Sequence, residues 1–285
     1  MLTLQRRVLV RVAYTMESLG CVWAHASLPT LGLGWDMCVY DPANDLHISR
    51  SIVKSGQWET DLVETVVRAL QRGGDKSLLV DIGGNIGYYA LAAATSGHEV
   101  EVFEPVPANA ARLQMSLSHS VALQRLVTLH TVALGQEGDV GEVVMAVSRD
   151  SNQGGLAHVS TQKRSGSTML PRIPLDHVLR PVTDRPVYLK IDIEGGECDA
   201  TRGMRRFVNS SSHILGVTME FAQSRQTCCA EWKMTGGFFD TLHRKHGLCP
   251  QGVPSYNTVC ESNAWDLVWA PCRRIMFRTR AAIVQ

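Results

Sequence analysis

"SLLVDIGGNIGYYALAAATSG", residues 77–97, contains the clearest structural pattern in the sequence. It opens with a short run over residues 78–82 that is apolar except for Asp81, passes through a glycine-rich turn, and continues into an alanine-rich segment that Gly97 closes. A short apolar run between turn signals is typical of a central strand in a parallel sheet. The stretch therefore predicts a buried strand, a tight turn and a helix.

The alternation continues along the chain. "EVEVFEP" (residues 99–105) and "LVTLHTVAL" (residues 126–134) predict strands, with a helix between them. Further strands are predicted in "VYLKIDI" (187–193), "HILGVTMEF" (213–221) and "AWDLVWAP" (264–271). Strands and helices in this order indicate an α/β domain built on a doubly wound, mostly parallel sheet.

The domain limits follow from where this pattern starts and stops. Residues 1–60 form an N-terminal leader with a small hairpin and helix region, and residues 61–272 form the main domain. Residues 148–168 are polar and rich in Gly and Ser, which predicts a mobile loop or lid within the domain. Residues 273–285 are a short basic tail.

Composition excludes some classes of protein. The 285 residues carry a formal net charge of +1, which gives no reason to expect a nucleic-acid partner. No apolar run approaches the roughly 18 residues of a membrane-spanning helix. The N-terminal segment is open to three interpretations: a helix packed on the domain, a secretory signal peptide, or an organelle transit peptide.

The cysteines leave the compartment open. There are eight, without a Cys-x-x-Cys pair, so a structural zinc site is not expected. Reduced, partly buried thiols and a cytoplasmic location are favoured, whereas a disulfide could form among Cys249, Cys260 and Cys272 if the protein were secreted. "NSS" at residues 209–211 fits a glycosylation sequon, which matters only in a secreted chain.

The glycine-rich turn predicts a small-molecule site. Asp81 ends the first strand, and Gly83, Asn85 and Gly87 follow, where glycines let a ligand approach the backbone. The turn departs from the dinucleotide fingerprint, because Asn85 stands where its second glycine would fall. Asp81 would repel a pyrophosphate, and Glu104 ends the next strand, where a carboxylate can accept both hydroxyls of a ribose. A ligand with a cationic end, a ribose and no phosphate fits S-adenosylmethionine.

Several separate motifs then agree with one family. "VDIGGNIGYYAL", "VFEPVPANAARL", "VALG", "PLDHVL" and "LKIDIEGGECDATRGM" occur in the order and spacing of the FkbM-type methyltransferases, which the chain resembles over about residues 60–222. The resemblance implies the class I, Rossmann-like methyltransferase fold with an antiparallel closing strand. It also implies methyl transfer from S-adenosylmethionine, usually to a hydroxyl of a sugar, glycolipid or other small metabolite.

The resemblance also implies roles for individual residues. Asp81, Gly83, Asn85 and Gly87 match the family's cofactor-binding turn, Glu104 its ribose-binding acid, and Ala133 lies by the adenine edge. Lys190, Asp192, Glu194 and Glu197 match its second block, "LKIDIEGGE".

Lys190, Asp192 and Glu194 are the candidate catalytic residues. Alternation along the strand predicts that all three lie on one face, opposite Ile191 and Ile193, at the sheet edge where ligands bind in open α/β folds. One carboxylate would act as a base. No metal is required, although Asp192, Glu194 and Glu220 would be the ligands of a divalent ion.

Two other classes of protein remain open. One is an NAD-dependent oxidoreductase on the same architecture, which Asp81 and the missing second glycine disfavour. The other is a Rossmann-like binding module without chemistry. The partner is expected to be a small-molecule or glycan acceptor whose identity no motif specifies.

Overall fold

The computed structural model describes residues 19–147, 157–160, 168–220, 225–251, 260 and 266–272. Most of the leader and the whole basic tail, 273–285, lie outside these residues. So does the loop predicted at 148–168, apart from residues 157–160 and 168.

A seven-stranded sheet forms the centre of the domain. Its strands are β3 (Leu78–Ile82), β4 (Glu99–Phe103), β5 (Val127–His130), β10 (Val187–Ile191), β11 (Ile214–Glu220), β12 (Leu248–Pro250) and β13 (Asp266–Pro271). They lie in the order β12-β13-β11-β10-β3-β4-β5, and β13 runs antiparallel to both of its neighbours. The predicted class I architecture, mostly parallel with an antiparallel closing strand, is confirmed.

Helices cover both faces of this sheet. They are α1 (Ile48–Ser55), α2 (Thr60–Gly73), α3 (Tyr88–Thr95), α4 (Pro107–Ser118), α5 (Val121–Leu126), α6 (Leu175–Val178), α7 (Glu197–Arg202), α8 (Arg205–Ser210), α9 (Arg225–Lys233) and α10 (Phe238–Arg244). Strands β3 and β10 are buried at every position, because a sheet packed on both faces leaves no polar side. One hydrophobic cluster lies around Phe207, Phe239 and Trp269, and the other around Leu70, Leu91 and Val102.

A smaller sheet is inserted between β5 and β10. It contains β6 (Ala133–Gly135), β7 (Gly141–Val147), β8 (Ala157–Ser160) and β9 (Thr168–Pro174), in the order β6-β9-β7-β8. Part of the segment predicted as a loop is therefore a strand: β8 pairs with β7 in antiparallel fashion. The Gly- and Ser-rich composition concealed this strand, because strand pairing depends on a partner elsewhere in the chain.

An N-terminal hairpin packs beside α4. Its strands are β1 (Val22–Leu28) and β2 (Leu33–Val39), joined through a short 3-10 helix, Pro29–Leu31. The Cys38 N–H donates to the Ser116 hydroxyl of α4 at 2.9 Å. The hairpin, α1 and α2 thereby extend the domain beyond its central sheet.

All eight cysteines are paired in disulfides, so the prediction of reduced thiols is wrong. The pairs are Cys21–Cys38, Cys198–Cys228, Cys229–Cys260 and Cys249–Cys272. The prediction failed because pairing depends on which cysteines the fold brings together, and connectivity cannot be deduced from spacing. Among the described residues, no helix combines the length and the apolarity that crossing a bilayer requires.

Candidate active site

A cavity of about 660 Å³ opens at the carboxyl ends of β3, β4, β10 and β11. This is the edge at which open α/β sheets bind ligands, and its size is in the usual range for small-molecule sites. The polar and charged residues that line it are His47, Glu59, Asn85, Glu104, Asn109, Lys190, Asp192, Glu194, Thr218 and Glu220. The predicted residues Gly83, Asn85, Glu104, Ala133, Lys190, Asp192 and Glu194 are all among the lining residues.

The glycine-rich turn forms the floor of the cavity between β3 and α3. The φ angles are 82° at Gly83 and 94° at Gly87, values that glycine adopts without steric cost. Asn85 between them has a φ of 50°. A Cβ on Gly83 would overlap the carbonyl oxygen of Asp192. Glycine at position 83 therefore lets the turn and the end of β10 approach each other at backbone distance.

Glu104 lies buried directly after β4 and is held by the backbone. One carboxylate oxygen accepts the Asn85 N–H at 2.8 Å, and the other accepts the Val106 N–H at 2.8 Å and the Asn109 amide at 3.4 Å. Burial raises its pKa to about 7, although these hydrogen bonds oppose the rise. Each carboxylate oxygen has more than one acceptor site, so Glu104 can also accept hydroxyl groups from a ligand in the cavity.

Lys190 links the glycine turn to the acidic edge. Its ammonium donates to the Gly83 carbonyl at 2.6 Å and lies 3.3 Å from Asp192 and 3.5 Å from Asp81. Burial alone would lower the pKa of Lys190, but the carboxylates around it raise the value above the ordinary one. Lys190 therefore stays charged and holds Asp192 in place beside the cavity.

Asp81 is fully buried at the end of β3 and is not itself among the residues that line the cavity. Burial raises its pKa, and the positive charge of Lys190 opposes that rise. Its closeness to Lys190 means that Asp81 can act on the site through this lysine.

The strand-face prediction for Glu194 is wrong. Strand β10 ends at Ile191, and the chain then turns, with φ angles of 53° at Glu194 and 96° at Gly195. The Glu197 carboxylate fixes this turn by accepting the N–H groups of Ile193 and Gly195, each at 3.2 Å. Period-two alternation applies only within a strand, so Ile191 and Ile193 line the cavity beside the acids instead of facing away.

Three carboxylates meet at this edge. Oxygen atoms of Asp192, Glu194 and Glu220 all lie within 4.8 Å of one another, and Glu220 reaches the group from the end of β11. Carboxylates this close are chemically able to share a proton, bind a hydroxyl group or coordinate a hard cation.

The N-terminal region contributes one wall of the cavity, which the sequence did not predict. His47 lines the cavity from the residue before α1, and Trp58 and Glu59 line it from the residues before α2. The Tyr89 hydroxyl donates to Glu59 at 2.7 Å, and the Tyr89 ring lies 5.2 Å from the Lys190 ammonium. Nothing local in the sequence marks these residues, because only the tertiary fold brings them to the sheet edge.

The N-terminal region also helps to orient the Glu104 side chain. The Tyr40 hydroxyl donates to Asn109 at 2.6 Å, and the Asn109 amide in turn reaches Glu104. The orientation of the buried carboxylate therefore depends on a residue that directly follows β2.

A family model described as "Methyltransferase FkbM domain" matches residues 81–244, more than half of the chain. The matched segment begins at Asp81 and contains Glu104, Lys190 and the acids of the cavity edge, whereas Trp58 and Glu59 precede it. No curated protein matches the sequence significantly.

Solved structures with a similar arrangement have low sequence identity to the chain. The FkbM methyltransferase of Methylobacillus flagellatus KT is 17% identical with a TM-score of 0.42, over 68% of this chain and 43% of that one. A SAM-dependent methyltransferase from Agrobacterium tumefaciens is 11% identical with a TM-score of 0.44, over 79% and 60%. The magnesium protoporphyrin IX methyltransferase of Synechocystis PCC 6803, with bound SAM, is 14% identical with a TM-score of 0.39, over 79% and 89%. The chain thus spans less than two thirds of the length of the first two proteins.

Proposed function

Because the chain belongs to the FkbM methyltransferase family, a family of S-adenosylmethionine-dependent enzymes, we propose that it methylates a hydroxyl group of a sugar, glycolipid or other small metabolite. One observation carries the proposal. A single cavity joins a buried acid suited to a ribose, Glu104, to a pair of carboxylates suited to activating a hydroxyl, Asp192 and Glu194. The same cavity thus holds side chains suited to each half of a methyl-transfer reaction.

The residues around Glu104 fit the cofactor. Glu104 would accept the ribose hydroxyls, the Gly83–Asn85 backbone would lie against the ligand, and Ala133 would border the adenine. Gly83 and Gly84 have no space for side chains, because a Cβ on Gly83 would overlap Asp192 and one on Gly84 would overlap Val102, so the turn packs tightly against its neighbouring strands. When bound, S-adenosylmethionine supplies an electrophilic methyl group on a sulfonium sulfur.

Asp192 and Glu194 would act on the acceptor. An alcohol is a weak nucleophile until its proton begins to leave, and a carboxylate within hydrogen-bond distance can accept that proton, typically contributing about 10²–10⁴-fold. In this proposal one of the two is the base and the other orients the acceptor. The Lys190 ammonium, 3.3 Å from the Asp192 carboxylate, would hold that side chain in place beside the acceptor.

The acidic edge also allows a metal-assisted variant of the same reaction. Asp192, Glu194 and Glu220 offer oxygen ligands of the kind that Mg²⁺ and Mn²⁺ prefer. A chelator distinguishes the two variants: activity that survives exhaustive chelation requires only the carboxylates, and activity that returns with added Mg²⁺ or Mn²⁺ requires the ion.

The decisive experiment identifies the acceptor. Metabolite and glycan extracts would be incubated with the protein and methyl-labelled S-adenosylmethionine, and the labelled products identified by mass spectrometry. We expect a product labelled on oxygen with the wild-type protein and none with the Asp192→Asn/Glu194→Gln double variant. Titration with S-adenosylmethionine and with NAD runs in parallel, and binding of NAD alone would overturn the proposal in favour of an oxidoreductase.

A further inference from the structure

The sequence contains a single N-glycosylation sequon, Asn209-Ser210-Ser211. Such a motif is meaningful only if the chain enters a compartment in which glycans are attached. The structure supplies an independent indication of such a compartment. All eight cysteines form disulfides, and disulfides form and persist in oxidising compartments while they are rare in the cytosol.

The position of Asn209 suits a glycan. It lies in the last turn of α8 and is exposed to solvent. Its side-chain oxygen accepts a hydrogen bond from the Thr241 hydroxyl at 3.1 Å. This bond involves Oδ1, whereas a glycan is attached through Nδ2, so the hydrogen bond can persist in the modified protein.

Asn209 is also remote from the candidate active site. The chain passes from Asn209 into β11, which begins at Ile214 and carries Glu220 at its opposite end. Seven strand residues at about 3.3 Å each separate the two edges of the sheet by roughly 20 Å. A glycan at the Ile214 edge leaves the mouth of the cavity open.

We propose that Asn209 is an N-glycosylation site and that the chain matures in an oxidising, glycan-attaching compartment. In the reaction, Nδ2 of Asn209 bonds to the anomeric carbon of an oligosaccharide carried on a lipid pyrophosphate. The bond from that carbon to the pyrophosphate oxygen breaks, Nδ2 loses one proton, and the lipid pyrophosphate leaves with the bonding electrons. No oxidant or reductant takes part.

The test uses the full chain produced in eukaryotic cells in two forms, one with its own N-terminus and one with a cleavable secretory signal placed before it. Peptide-N-glycosidase in heavy-oxygen water converts a glycosylated asparagine into a mass-labelled aspartate. We expect the label at residue 209 in both forms, and a loss of mass on glycosidase treatment that Asn209→Gln abolishes.

Two results overturn the proposal. If neither form carries a glycan, Asn209 is not a modification site. If only the form with the added signal carries one, Asn209 can accept a glycan but residues 1–285 do not direct their own entry into that compartment. Because Asn209 lies outside the cavity, Asn209→Gln should bind S-adenosylmethionine as the wild type does, which also shows that the variant is folded.

Discussion

The fold orients the Glu104 carboxylate so that it can accept hydrogen bonds from a ligand in the cavity. A charge-assisted hydrogen bond contributes on the order of 1.5–3 kcal/mol, so Glu104→Ala should weaken S-adenosylmethionine binding by about tenfold or more. Isothermal titration measures the change. Glu99→Gln is the matched control, because Glu99 lies on the same strand but is exposed at its other end. Equal affinities for wild type and Glu104→Ala would reject the ribose assignment.

The raised pKa of Glu104 also predicts a pH dependence. Its value of about 7 means that the ligand-free protein carries a largely protonated Glu104 below that pH. Ribose hydroxyls donate best to the ionised form, so binding should release a proton, and the affinity should fall by up to about tenfold per pH unit as the pH drops below 7. The affinity should level off above pH 7, where Glu104 is already ionised.

Titration between pH 5.5 and 8.5, roughly one to two units on either side of that pKa, measures this dependence. Glu104→Gln cannot ionise and should bind weakly with a flat profile. A wild-type profile that is equally flat would show that Glu104 does not couple to the ligand.

Asp192 and Glu194 carry the chemical part of the proposal. Asp192→Asn and Glu194→Gln preserve shape and remove charge, so turnover should fall by about a hundredfold or more in the variant that lacks the base. The affinity for S-adenosylmethionine should change little. Asp75→Asn, an exposed carboxylate preceding β3 at the opposite edge of the sheet, should behave as wild type. Near-normal turnover in both active-site variants would leave the acidic edge a structural feature.

At the level of elements, the turn between β3 and α3 depends on glycine for two separable reasons. Gly83 has a φ of 82°, and a Cβ there would also overlap the Asp192 carbonyl. Gly97, which follows α3, has a φ of 93° but no atom within 4 Å of the position of its Cβ. Both glycines have a positive φ, but only at Gly83 do other atoms of the chain occupy the position of a Cβ.

Gly83→Ala should therefore be more destabilising than Gly97→Ala. Strain at positive φ costs on the order of 1 kcal/mol at either position, whereas the overlap forces β10 away from the turn only at Gly83. Urea unfolding of both variants measures the difference, and Gly83→Ala should also lose S-adenosylmethionine affinity. Equal free energies of unfolding would mean that the β10 end moves freely.

The same elements show what a sequence can and cannot reveal. Strands β3 and β10 were predictable because their apolar runs are buried on both faces, and Glu104 and Lys190 followed because strand ends meet at one edge. The prediction of an extended strand beyond Ile191 is wrong, because Gly195 and Glu197 form a turn there. Gly195 and Gly196 were the available signal. The contributions of Trp58 and Glu59 depend on long-range packing, which no local pattern encodes.

The four disulfides join residues that lie 17 to 31 positions apart in the sequence. Cys198–Cys228 ties α7, which follows the acidic turn, to α9, which follows the strand of Glu220. Cys229, the residue after Cys228, pairs with Cys260. Cys249 in the edge strand β12 pairs with Cys272, the residue after β13. The carboxylates of the candidate active site therefore lie on backbone whose flanking helices are covalently linked.

This network predicts a clear chemical result. If the chain is isolated from its own cells with N-ethylmaleimide present at lysis and then denatured, no cysteine should carry the label, because all eight are paired. Reduction after removal of the reagent, followed by a second alkylating reagent, should modify eight. A cytosolic protein would instead take up the first label, because thiols there are kept reduced.

The stability of the fold should depend on the same bonds. In the chain-entropy model, the Cys198–Cys228 bridge, with a sequence separation of 30, stabilises the native state by about 3–4 kcal/mol. The Cys198→Ser/Cys228→Ser double variant should therefore unfold at a lower urea concentration and lose S-adenosylmethionine affinity as α7 loosens. Treating the wild type with a reductant should lower its unfolding midpoint further, since the other three bridges are also broken. A midpoint that reduction leaves unchanged would show that the native fold does not contain these bridges.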